Sequence, residues 1–502
     1  MADLTRSLVY ARDYFNHYGI GASSLSRPTG HEDPDRYEIV SSVQGVQQPS
    51  SNGNLKLCHK FLRNLTVALL SYGSSAPRTE YLVEKAAECL NVKINISVVS
   101  STTILIFPNT SDPVKDELHM LKVDSEVDLD KLQRVDELAN SVGLTNTPLK
   151  MAHWQLQSIV KGPSQFGAWY WQLFSYALSS PTAAILFFSG NYWDAVLSLI
   201  LGLGVGILAL VPPISPVFGN MLEFISALFV SFLARVFSHH LPNLEVCFFA
   251  MAISGLVWLL PGQNLTIGVS EVVEGSVLTG SARIMKALVS SLQLGFGLAI
   301  GENLVWWAPK LEPHSCSNPN IPPSNIIIWL LGFAVAANIF LRARVGQWFG
   351  MTLVAAIGYA VSEIAESKFG TETATVLSAL AIGLSGTLCS FVSRDIPLSM
   401  IFAGLQVLLP GGIGVQARTS GVEKFLEKDT LSGIGFVVNM VIICLSITVG
   451  LLLSKVVLYD GLFGASKVFH IKQMALKSEF FEEDPNSSVG GNEEEEDQHM
   501  AI

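Results

Sequence analysis

Charge is scarce in this chain. Asp, Glu, Lys and Arg make up 15% of its 502 residues, against roughly 25% in soluble domains. The deficit lies after about residue 165 and excludes a wholly soluble globular protein. Cysteine is sparse too. Cys58, Cys89, Cys247, Cys316, Cys389 and Cys444 form no Cys-x-x-Cys pair, which speaks against a disulfide framework or a zinc site. They read as small apolar packing residues. There is no His-Glu-x-x-His, no Gly-x-Ser-x-Gly and no cluster of metal ligands, so the expectation is no enzyme, no cofactor and no metal. His59 and His119 stand alone as ordinary histidines. A Gly-x-x-x-x-Gly-Lys-Ser/Thr loop is also missing, which disfavours transport driven by ATP. The first residues lack a basic patch followed by an apolar core, and no cleavable secretory signal is read there. The net charge of −11 argues against nucleic acid as a partner.

Apolar residues are abundant: 49% of the chain, with a mean hydropathy of +0.42. Residues 1–54 are polar and read as a disordered tail. Residues 55–145 alternate helical and strand patterns, as a small α/β domain would, with helices near 55–73, 78–90 and 129–142 and strands in between. Residues 147–161 read as an amphipathic helix before the membrane, with Trp154 and Lys161 suited to an interface. About ten apolar segments follow, near 167–189, 193–211, 216–237, 244–260, 283–305, 324–342, 348–365, 372–392, 395–411 and 430–456. The fold class expected is therefore a polytopic α-helical membrane protein with an N-terminal α/β domain. Pro309, Pro313, Pro319 and Pro322 break the linker 309–325 between a first module, 146–308, and a second, 326–458. The tail 459–502 ends in a solvated acidic run. Basic residues near the segment ends, Arg283, Arg342 and Lys455 among them, favour both termini in the cytosol.

The two modules share a pattern. Leu259-Leu-Pro-Gly262 returns as Leu408-Leu-Pro-Gly411, at an offset of 410 − 261 = 149. Met251 and Met400, Gly255 and Gly404, Glu274 and Glu423, and Gly301 and Gly450 keep that register. Each Pro-Gly pair reads as a break closing an apolar segment. Five segments reverse the direction of a chain, so the second module is expected to be inverted relative to the first. Inverted repeats joined by broken helices are a recurrent plan of secondary transporters, with the substrate between the repeats.

Residues 259–283, LLPGQNLTIGVSEVVEGSVLTGSAR, resemble the motif of the threonine/serine exporter family. Pro261, Gly262, Glu274 (or Glu271), Gly275, Gly280 and Arg283 stand at its positions, with Glu where bacterial members usually have Asp. Gly190, Trp193 and Asp194 resemble its Gly-x-x-Trp-Asp, and Tyr72, Gly73, Arg78 and Glu80 its soluble-domain pattern. The second half resembles a module that some bacteria encode separately. The layout is similar to that of the fungal pheromone-regulated membrane proteins of that family, and the likeness covers about 55–456. It implies export of threonine and serine, or of a dicarboxylate such as succinate. A non-transporting membrane receptor or structural protein is the other reading. The implied partners are a small-molecule substrate and the lipid bilayer, and a homo-oligomer is compatible with both.

An ionisable residue inside a span is costly and tends to face a cavity or a partner. That selects Glu223, Glu302 and Glu363, with the amide Asn338, as candidates for binding substrate or coupling protons. Glu271, Glu274 and Arg283 join them. Glu271 and Glu274 would share a helical face, and a carboxylate there could act as a proton-coupled gate. Pro261, Gly262, Pro410 and Gly411 are the helix-break or gate candidates, leaving backbone groups free for a carboxylate or zwitterion.

Overall fold

The computed structural model describes residues 52–99, 102–107, 117–123, 126–144, 148–212, 216–241, 246–307, 323–393, 395–425 and 432–458. The expected polar tail, nearly all of the linker 309–325 with Cys316, and the acidic tail lie outside the described residues, as does the side chain of Glu423.

The N-terminal elements follow the sequence pattern closely. Helix α1 (Asn52–Ser71) places Phe61, Leu62, Leu65 and Leu69 on one fully buried face. It ends at Gly73, whose φ of +95° reverses the chain into α2 (Ala76–Cys89). Strands β1 (Asn95–Val99), β2 (Thr102–Phe107) and β3 (Glu117–Lys122) form an antiparallel sheet in that order, with Asn95 opposite Ile106 and Thr102 opposite Lys122. Helix α3 (Leu129–Leu144) buries Leu129, Leu132 and Val135 against α1 and α2. Helix α4 (Leu149–Lys161) buries Ala152 and Leu156 and leaves Trp154 67% exposed, as an interfacial helix would.

Helices occur at every expected apolar segment: α5 (Trp169–Leu186), α6 (Tyr192–Leu208), α7 (Leu222–His240), α8 (Phe248–Gly255) with α9 (Gly262–Val273), α10 (Val277–Leu304), α11 (Pro323–Phe340), α12 (Trp348–Phe369), α13 (Thr371–Ser393), α14 (Pro397–Phe425) and α15 (Ser432–Val456). Among the described residues, five helices are long and apolar enough to cross a membrane, or six if the bent pair of α8 and α9 is one span. The protein is thus a helical, polytopic membrane protein.

Three expectations need correction. The fourth segment does not stop at Leu260: a short 3-10 turn and α9 carry it on to Val273, bent by 56°. Pro261 occupies the N-cap of α9, where its missing N–H costs nothing. The second Leu-Pro-Gly does not break its helix, because α14 continues through Pro410. Neighbouring helices let an interior proline persist in such a segment. Cys247, finally, is not a packing thiol but disulfide-bonded, whereas Cys58, Cys89, Cys389 and Cys444 are not in disulfides. Cys247 is the N-cap of α8 and partly buried against the apolar core.

Two helix pairs set the frame. Helix α10 runs parallel to α7, with Glu223 beside Ser290 and Ser231 beside Leu298. Helix α15 runs parallel to α13, Gly450 against Val376 and Ser454 against Gly383. A Cβ on Gly301 would sit 2.6 Å from the Leu228 carbonyl, and one on Gly450 would sit 2.4 Å from the Val376 carbonyl. The two glycines keep the offset of 149, 450 − 301, and their carbonyl partners fall one residue short of it, 376 − 228 = 148. Gly301→Ala and Gly450→Ala should each cost about 1–3 kcal/mol, because backbone cannot yield as a side chain does. Thermal unfolding in detergent, with both melting temperatures falling by similar amounts, checks this.

Candidate functional site

The ends of several membrane helices meet the N-terminal elements on one face, called here the near face. Helix α9 ends at Val273, the chain turns over Gly275 at φ +99°, and α10 begins at Val277. Gly268 and Gly280 allow the two helices to touch, as a Cβ on Gly280 would lie 2.5 Å from the Gly268 carbonyl. This hairpin brings Arg283 beside Glu271, although no continuous helix joins them. Arg283 Nε donates to Glu271 Oε2 at 3.0 Å and Nη2 to Oε1 at 3.3 Å. Glu271 is 1% exposed and also accepts the Ala76 N–H at 3.2 Å. Its carboxylate therefore sits at the N-terminus of α2, where a helix favours negative charge. Close by, Thr279 Oγ1 donates to the Val98 carbonyl at 2.6 Å.

Glu274 does not join Glu271 in one site. It caps the end of α9, accepts Ser270 Oγ at 3.3 Å and pairs with Lys455 at the end of α15. The sequence spacing alone put both carboxylates on one face, but the helix ends between them. Glu80 of α2 accepts the Val98 N–H at 2.8 Å. Burial pushes its carboxyl above the ordinary 4.5; the Val98 N–H opposes this, and Glu84 and Glu271 add to it. A raised carboxyl contributes stability below pH 4.5 that is lost as pH rises through its shifted value. Glu80→Gln should flatten that part of the pH–stability curve, as melting temperatures measured from pH 4 to 7 would show.

A second cluster lies where the two Pro-Gly segments cross. Gly262 packs on Leu409, so close that a Cβ would come within 2.5 Å of its side chain. Gln406 Nε2 donates to Gln263 Oε1 at 2.8 Å. Gln263 Nε2 has no hydrogen-bond partner among the described residues. Proline has no N–H, so Pro410 leaves the carbonyl four residues back, that of Gln406, without its helical donor. Gln406 thus brings an amide to the crossing, on a residue whose carbonyl lacks its helical donor. Cys444 Sγ donates to the Gly262 carbonyl and Thr448 Oγ1 to that of Thr266, both at 3.5 Å. Trp258, just before the break, stacks on Phe340 with centroids 4.4 Å apart. On the other side of α14, Glu363 and Ser362 line a small cleft with Phe187, Tyr359 and Gly411.

The remaining sequence candidates lie apart from this crossing. Glu223, at the start of α7, accepts Ser290 Oγ at 3.3 Å. Glu302, near the end of α10, is within electrostatic reach of Arg235 on α7. Asn338 is 1% exposed and donates to Thr352 Oγ1 at 3.5 Å, while its Oδ1 has no hydrogen-bond partner among the described residues. Asp194 plays a local part. With Asn191 it closes a capping box on α6, and it accepts the Cys247 N–H at 2.8 Å. Gln263 and Gln406 were missed because a lone amide in an apolar run carries no spacing signal. Their position beside the two prolines was the available hint.

Residues 60–305 match the ThrE family, described as "Putative threonine/serine exporter". The similarity to that family covers just under half of the chain. The exporter match covers α5 to α10 and the N-terminal elements, and so includes the Glu271–Arg283 pair and Pro261. Fungal relatives extend it into the second half. An uncharacterized protein of Schizosaccharomyces pombe is 27% identical over 80% of this chain and 55% of its own length. Pheromone-regulated membrane protein 10 of Eremothecium gossypii is 26% identical over 88% of the chain and 62% of its own. Its namesake in Saccharomyces cerevisiae is 25% identical over 82% and 55%. The chain therefore spans less than two thirds of the length of these relatives. No solved structure matches it.

Proposed function

We propose that the chain is a secondary transporter that exports a small hydrophilic metabolite, an amino acid such as threonine or serine, coupled to protons. The observation that carries this reading is the crossing of the two Pro-Gly segments, where Gln406 donates to Gln263 and the Gln263 Nε2 has no hydrogen-bond partner among the described residues, inside an apolar bundle. Uncharged donors and acceptors at such a place suit a zwitterion, whose own charges need partners when it leaves water.

The layout supports two inverted five-helix modules within 146–308 and 326–458. The α7–α10 pair runs away from the near face, and the equivalent α13–α15 pair runs toward it. Equivalent helices also meet antiparallel: Ser175 of α5 donates to Ala336 of α11, and Thr182 packs on Gly332. An axis in the membrane plane produces both relations. The near face is assigned to the cytosol. Cys247 at the opposite ends supports this, because disulfides persist in oxidising compartments. Proton coupling is placed on Glu271: a proton there cancels the charge that holds Arg283 and the α2 N-terminus.

Purified protein in liposomes loaded with labelled serine, threonine or succinate, under an imposed pH gradient, tests the proposal. Gradient-dependent serine or threonine flux supports it. Flux of succinate alone moves the substrate to the dicarboxylates, and no flux of any solute favours a receptor or structural role.

A further inference from the structure

The N-terminal α/β elements grip both halves of the membrane bundle at the near face. On the first half they hold the α9–α10 hairpin, through the Ala76 N–H on Glu271 and the Val98 carbonyl on Thr279. On the second half α3 does the holding. The Leu129 and Asp130 N–H groups donate to the carbonyls of Leu341 and Arg342 at 3.1 and 3.2 Å. These free donors of a helix start meet the chain just past the end of α11, so each supplies what the other lacks. Arg342 also pairs with Glu126 at 3.2 Å. Gln133 of α3, 3% exposed, then joins two further connections: its Oε1 accepts the Ile396 N–H at 2.9 Å and Gln347 Nε2 at 3.3 Å.

The two grips are mechanically linked. Helix α2 carries the first and α3 the second, and Arg78 of α2 forms a buried ion pair with Asp136 of α3. The gripped ends include the near end of α9 and the start of α14. Those are the two helices that carry the Pro-Gly segments and cross at Gly262 and Leu409. They cannot part at the near face unless one grip lets go.

We propose that the N-terminal α/β elements are a clamp that holds the near face closed, and that Gln133 is the joint at which it releases. The role of the clamp in a transport cycle rests on the function proposed above; its existence does not. The contacts of Gln133 across the joint are neutral hydrogen bonds, whereas the first-half grip rests on the buried Glu271 carboxylate that accepts the Ala76 N–H, and the Arg342–Glu126 pair of the second half lies at the surface, with Glu126 74% exposed. The joint is also incomplete. Gln347 Nε2 is shared between Gln133 Oε1 and Asp395 Oδ1, while Gln347 Oε1, in a residue 1% exposed, has no hydrogen-bond partner among the described residues. A buried acceptor left unmet favours whichever arrangement satisfies it, and an opened, wetted joint does so.

Two native thiols report on the clamp without any substrate. Cys444 is fully buried at the helix crossing and hydrogen-bonded to the Gly262 carbonyl, and Cys58 is buried in α1. The full chain in liposomes is treated with a small thiol reagent, and labelling of each cysteine is followed by peptide mass spectrometry. Gln133→Ala should speed labelling of Cys444 by about fivefold, the effect of one neutral hydrogen bond on an opening equilibrium, with Cys58 unchanged. Gln347→Ala, the other side of the joint, should do the same and serves if the first variant folds poorly. Unchanged Cys444 labelling in folded protein overturns the clamp. Equal acceleration at Cys58 also overturns it, because Gln133 would then be general structural glue. Faster Cys444 labelling without flux of any solute leaves the clamp standing and removes the transport reading.

Discussion

Arg283→Met should destabilise the protein by about 3–5 kcal/mol, the usual cost of removing one partner of a buried ion pair. Glu271 is 1% exposed and has two kinds of donor, the Arg283 guanidinium and the Ala76 N–H. Methionine fills similar volume but leaves the carboxylate with a single backbone donor. Glu271→Gln should be milder, since the amide oxygen still accepts from Ala76 or Arg283 and the cation left without its partner, Arg283, is 24% exposed and reaches water. The exchange of the two residues, Glu271→Arg with Arg283→Glu, is the decisive control. A pair that mattered only as a pair would recover. Here it should not, because the new cation would face the N-terminus of α2, where positive charge is unfavourable. Thermal unfolding ranks the three variants. A swapped protein as stable as the parent would show that the α2 N-terminus plays no part.

The helices and strands were largely legible in the sequence because their signals are periodic. The buried face of α1, the strand alternation of β1 to β3 and the apolar lengths of α10 to α13 are local properties that chain neighbours encode. The hairpin was half legible. Gly275 and Gly280 told against a continuous helix between Glu271 and Arg283, and only the folded chain shows that reversal brings the two side chains together. Lys455 as the partner of Glu274, and Gln133 as the link to Gln347 and Ile396, were not legible at all. Those contacts join residues more than 180 positions apart, and a single sequence holds no record of which distant polar groups meet. Pro410 shows the opposite error. A local rule said break, and packing in a bundle overrode it.

The two prolines should answer differently when replaced. Pro410→Ala restores an N–H inside α14 and removes the ring's clash with the preceding turn, so it should stabilise the fold, by up to about 3 kcal/mol where the surroundings adapt. The same change gives the Gln406 carbonyl its helical donor and withdraws an acceptor from the crossing. Stability and flux should therefore move in opposite directions, with the melting temperature rising and transport falling about tenfold, the effect of roughly 1.4 kcal/mol at the barrier. Pro261→Ala offers no comparable gain, because Pro261 sits at an N-cap where no helical hydrogen bond was lost. Its effect should appear in flux alone, since the 56° bend before α9 sets where Gln263 meets Gln406. Paired measurements of melting temperature and liposome flux separate the cases. If Pro410→Ala raised both, the Gln406 carbonyl would have no part in transport. If Pro261→Ala lowered the melting temperature as much as the flux, the bend would be a structural requirement, and the crossing would have to be explained without it.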